Sequence, residues 1–94
     1  MVKEVPLSTE YTYYAIIRSG WTADRPFAVA REWHSDGLPW AETYTRDLRW
    51  EATSVLTAIR AGRSDDDAEP IAEDVVERFI ARMKRSVELK EQGE

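Results

Sequence analysis

Apolar and aromatic side chains crowd three short stretches in the first half of the chain and recur at helical spacing in its last third. Tyr11–Arg18, YTYYAIIR, is aromatic and β-branched, which predicts a strand. Tyr11, Tyr13, Ala15 and Ile17 share one face, and Thr12, Tyr14, Ile16 and Arg18 the other. With bulk on both faces, this strand belongs in the middle of a sheet. A second strand is predicted over Phe27–His34. Phe27, Val29, Arg31 and Trp33 lie on one side of it, and the small Ala28 and Ala30 on the other, where a helix can pack closely. Ser35-Asp36-Gly37 is turn chemistry, and Trp40–Arg46 alternates as a third strand. Short connections between the three favour antiparallel neighbours, because a parallel return needs a crossover of a dozen or more residues. Asp47–Ala52 either extends the third strand through a bend or forms a short fourth. Leu48 and Trp50 are expected on one face, with Arg49 and Glu51 turned to water.

Thr53–Gly62 predicts a short helix, capped by Thr53 or Ser54 and stopped by Gly62 in the left-handed conformation. Ile71 can add an edge pairing. From Ala72 onward Val76, Phe79, Ile80, Met83 and Val87 recur at three- and four-residue steps, the signature of an amphipathic helix. Glu73, Asp74 and Glu77 crowd its start, and Arg82, Lys84, Arg85 and Lys90 its end, both complementing the helix dipole. The Lys90–Glu94 tail is expected to fray. The fold class is therefore α+β: a three- or four-stranded antiparallel sheet, with a short helix and a longer C-terminal helix packed on one face.

Composition changes this picture little. Ninety-four residues suit one domain over 1–94, with an ordered core at about 11–88. The chain contains no cysteine, which removes disulfides, thiolate metal sites and cysteine nucleophiles. Glu4 and Pro6 interrupt the only N-terminal apolar run, and no stretch approaches the ~18–20 apolar residues of a membrane span. The expectation is a cytoplasmic protein that does not meet the membrane.

Charge is unevenly distributed. Residues 1–63 carry eight basic and eight acidic side chains; residues 64–94 carry five and ten, which supplies the whole net charge of −5. A neutral body with an acidic end argues against nucleic acid, which needs a basic face. It permits a basic partner, and presentation of Ser64–Glu69 to such a partner would make the chain an acidic inhibitor or decoy of mobile-element origin.

Three segments carry a family resemblance. YYAIIR at Tyr13–Arg18, RWEAT at Arg49–Thr53 and the pattern I-x-E-x-x-x-x-R-F at Ile71–Phe79 resemble small uncharacterised proteins of high-GC Gram-positive bacteria, over residues 13–82. The resemblance implies the same order of elements and brings no activity with it.

Candidate chemistry is sparse. His34 is the single histidine, with Glu32 placed to share its face and orient it as a base. A pocket near His34 would make a small ligand-binding or enzymatic domain. No Gly-x-Ser-x-Gly elbow accompanies it, and one histidine falls short of a zinc site. Ser64–Asp67 lacks the alternating ligands and central glycine of a calcium loop. No catalytic, cofactor or metal residue is assigned. Four tryptophans and four tyrosines, however, exceed what so small a core hides. Arg18, Arg31, Trp33, Trp40, Tyr44 and Arg46 are the expected partner-binding set: an aromatic–arginine sheet face that meets a protein partner or a second copy of the chain. A free sheet edge would serve the same end. Cross-strand packing that stiffens a half-exposed sheet is the structural alternative.

Overall fold

The computed structural model describes residues 10–92. The expected domain therefore extends beyond the described residues at both ends, and the fraying expected at Gly93 and Glu94 lies outside them. Five strands form one antiparallel sheet: β1 (Thr12–Ile17), β2 (Ala28–Ser35), β3 (Leu38–Tyr44), β4 (Trp50–Ala52) and β5 (Asp67–Ile71). Their spatial order is β4-β3-β2-β1-β5, so β1 is interior, as its two-sided bulk predicts. Two helices complete the fold, α1 (Val55–Arg60) and α2 (Glu73–Gln92).

The β2–β3 hairpin is set by its turn. Ser35 pairs with Leu38, leaving Asp36 and Gly37 as a two-residue loop with φ of 54° and 77°. Two successive positive φ values match the right-handed twist of the flanking strands, and Asp-Gly tolerates them best. Pro39 stands within β3, which starts at Leu38, two residues before the expected start of the strand. It is accommodated because β4 pairs only with Glu42–Tyr44, so at Pro39 the outer side of β3 needs no donor.

Both the strand count and the helix placement differ from expectation. The fifth strand pairs Tyr13 with Ile71 and Ile17 with Asp67. Rather than lying on one face together, the helices cover opposite faces. Val76 and Phe79 of α2 pack on Val29 and Tyr44, with Tyr13, Leu48, Trp50, Ile71, Ile80 and Met83 around them. Leu56 of α1 packs on Ile16 and Ala30 on the other side, with Ala28, Ala41 and Ala68 nearby. The small alanines allow this close approach. The chain makes α1 its bridge across that face, from β4 at one edge to β5 at the other. Gly62, with φ of 73°, stops α1 and donates its N–H to the Ile59 carbonyl at 3.1 Å. Ser54 occupies the N-cap without a side-chain cap bond, and Thr53 Oγ1 accepts from the Val55 N–H instead. The helix α2 runs on to Gln92, past the expected limit of the ordered core at 88.

Candidate interaction groove

The β1–β2 connection looks like a simple turn in the sequence, yet it is held in place by specific bonds. Gly20, with φ of 89°, allows the Trp21 N–H to reach the Arg18 carbonyl at 2.8 Å. Thr22 and Arg25 exchange backbone hydrogen bonds, and Thr22 Oγ1 also accepts from the Arg25 N–H. Pro26 is fully buried and anchors the segment, while the Phe27 N–H donates to the Ile16 carbonyl. The connection so fixed presents Trp21 and Phe27 to the outside, 47% and 40% exposed, with their rings edge-to-face at 5.8 Å. Arg18 lies 3.8 Å over the Phe27 ring and donates two 3.0 Å hydrogen bonds to Asp66. That pairing holds the Asp66 carboxyl below its ordinary pKa.

Facing this connection is one side of α2. Phe79, Arg82, Met83, Ser86 and Val87 follow the i, i+3, i+4, i+7, i+8 spacing of a single helical face. Between the two, with Tyr44 and Arg46 also lining it, lies a groove of about 540 Å³. Trp21, Phe27, Tyr44, Phe79, Met83 and Val87 give it an apolar and aromatic floor, and Arg25, Arg46 and Arg82 stand around it. None of these three guanidiniums makes an ion pair or side-chain hydrogen bond with the described residues. Arg18, Arg31, Arg49, Arg60 and Arg78 each hold a carboxylate, whereas Arg63 and Arg85, outside the lining, likewise hold none among the described residues.

The expected partner-binding set is dispersed. Tyr44 and Arg46 line the groove, although Tyr44 is itself buried at its base, and Arg18 stacks on the lining residue Phe27. Arg31 is half-buried inside the α2 face of the sheet, its guanidinium 4.5 Å from the Tyr11 ring and 4.3 Å from the Trp50 ring. Trp33 is 3% exposed and lies opposite Trp40 in the β2–β3 register. Trp40, 41% exposed, sits near the hairpin turn at the other end of the sheet. Arg31, Trp33 and Tyr44 therefore do not form an open face: ring packing has closed over them. Trp21, Arg25, Phe27 and Arg82 were not singled out from sequence. The available signal was Arg82 and Ser86 flanking the apolar stripe of α2.

The chemistry of the lining suits binding. Its polar groups are three guanidiniums and the hydroxyls of Ser86 and Tyr44, none of which is a general base at neutral pH. Among the described residues no cluster of three or more His, Asp or Glu side chains could hold a metal, and no helix is long and apolar enough to cross a membrane. His34 is exposed on the face opposite the groove. It stands seven residues along the chain from Phe27, roughly 23 Å at strand spacing. Its neighbour Glu32 is buried and occupied by Arg60, whose Nη1 and Nη2 donate at 2.6 and 3.0 Å. That grip lowers the Glu32 pKa.

No protein-family model matches the chain, and no curated protein or solved structure does.

Proposed function

We propose that the chain is a non-catalytic protein-interaction module whose contact surface is the groove between α2 and the Trp21–Phe27 connection. One observation carries this reading: two exposed aromatic rings and three guanidiniums without a carboxylate among the described residues converge on one apolar concavity. Aromatic residues and arginine are the types that contribute most when an interface is desolvated. The sheet edges support the groove as the alternative to edge pairing. The outer strand β4 has only three residues, and β5 carries Asp67, Glu69 and Pro70, so neither offers a long uncharged row of donors and acceptors.

The test compares the wild-type chain with Trp21→Ser/Arg82→Glu. Both positions face the groove, so the variant should retain the wild-type circular dichroism and melting profile. Partners co-purifying with the wild-type chain from its native host should be lost, since truncating a hot-spot aromatic weakens binding by about 30-fold or more. Equal recovery of the same partners by wild type and variant would place the contact elsewhere.

A further inference from the structure

The charge around the groove narrows what fits in it. A chain of net charge −5 places three guanidiniums without a carboxylate partner among the described residues around one apolar floor. They come from three different segments: Arg25 from the β1–β2 connection, Arg46 from the β3–β4 turn, beyond the end of β3 at Tyr44, and Arg82 from α2. A guanidinium is weakly hydrated for a cation and presents a planar fork that matches a carboxylate. Its desolvation beside apolar side chains is offset best when an anion arrives with the occupant.

A small amphiphile with one anionic head can satisfy one of these positions. Three cations carried on three separate segments call for several anionic groups carried on one scaffold. Nucleic acid answers that description poorly. Asp66 pairs with Arg18, Asp67 and Glu69 follow along β5 beside β1, and a chain of net charge −5 repels a phosphate backbone.

We propose that the groove takes an acidic amphipathic peptide segment of a partner protein. An aromatic or branched apolar side chain seats against Trp21, Phe27 and Met83, and flanking Asp or Glu carboxylates meet Arg25, Arg46 and Arg82. The proposal rests on the groove being the contact surface and adds the chemistry of what it contacts.

A random 12-residue peptide library displayed on phage, selected against the immobilised wild-type chain, tests it. The enriched peptides should carry an excess of Asp and Glu around Leu, Phe or Trp. A synthesised member of that set should change the tryptophan fluorescence on titration. Arg25→Gln, Arg46→Gln and Arg82→Gln should each weaken it by about 2- to 5-fold, the range for exposed ion pairs, and the triple variant should no longer enrich acidic peptides. Rising salt should weaken binding further. Enriched peptides without acidic excess that still lose affinity in Trp21→Ser would overturn the acidic class and leave the groove standing. Acidic peptides that bind the triple variant and Trp21→Ser as well as wild type would remove the groove itself. Dodecanoate binding as tightly as the best peptide, and displacing it, would identify a small-amphiphile site instead.

Discussion

The Arg31 guanidinium lies 4.3 Å from the centroid of the Trp50 ring, with the Tyr11 ring 4.5 Å away and Glu42 Oε1 accepting from its Nη2 at 2.7 Å. A tryptophan between Arg49 and Glu51 is thus partly buried against a different arginine, two strands away. Arg49 and Glu51 pair with each other on the opposite side. A planar cation can lie between rings and still reach a carboxylate; an ammonium cannot do both. Arg31→Lys should therefore lower unfolding stability by about 1–3 kcal/mol in urea titration, close to the loss in Arg31→Met. A lysine variant as stable as wild type would show that the stacking contributes nothing.

Phe79 joins the core to the groove. It is 7% exposed, packed with Val29, Tyr44 and Val76, and its face of α2 also forms the groove wall. Phe79→Ala should cost about 3–5 kcal/mol, a large part of the ~5–10 kcal/mol available to a domain this size. Thermal or chemical melting reads the effect, and a variant melting like wild type would contradict the packing.

Local patterns made much of the fold legible. The two-sided bulk of Tyr13, Tyr14, Ile16 and Ile17 marks an interior strand, Asp36-Gly37 marks a hairpin, and the Val76–Val87 stripe marks α2. The paired alanines of β2 mark a face for close helix packing, and α1 uses it. What escaped depends on contacts distant in sequence. Asp67–Ile71 contains two acids and a proline, so its residues do not favour a strand; it becomes one because β1 has an edge free beside it. The α1 pattern of Leu56 and Ile59 shows that one side is apolar without showing which sheet face it meets. Aromatic count overstated the exposed area, because Tyr11 covers Trp33 edge-to-face at 5.5 Å and Trp50 covers Tyr44 at 5.4 Å. Arg31 in an apolar row suggested an open face, whereas a guanidinium stacks within one. Of the groove, only Tyr44 and Arg46 were foreseen. Its other wall is a turn, and the approach of that turn to α2 is a tertiary event with no local signature.

Gly37 tests the hairpin. Its φ is 77°, and a Cβ built there meets nothing within 4 Å, so any cost of Gly37→Ala comes from the backbone alone. Left-handed backbone costs an L-residue about 1–2 kcal/mol, and asparagine less. Gly37→Ala should be destabilising by that amount and Gly37→Asn by less than half of it, measured by urea unfolding. Equal effects would mean that the turn is not in the two-residue left-handed form.

Glu32 and Arg60 supply a pH-dependent link between β2 and α1. Arg60 hydrogen bonds hold the Glu32 carboxyl below its ordinary value of 4.5, against the opposing effect of burial. A depressed folded pKa means that the unfolded chain binds the proton first as pH falls. The stabilisation is complete above about pH 5, begins to be lost near 4.5, and is gone once pH has passed below the folded value. Glu32→Gln removes the charge while keeping the shape, so it should be less stable than wild type at pH 7 by about 1–2 kcal/mol, the scale of a charge-assisted hydrogen bond. The gap should close as pH falls from about 5 through the lowered folded value, because wild type then carries a protonated Glu32 that resembles the glutamine. Asp66 and Glu51, also held below their ordinary values by hydrogen bonds, titrate alike in both proteins and cancel in the difference. Chemical denaturation at pH 7, 5, 4 and 3 measures it. A gap that stays constant with pH would show that Glu32 gains nothing from its charge, and one that widens in acid would reverse the sign of the link.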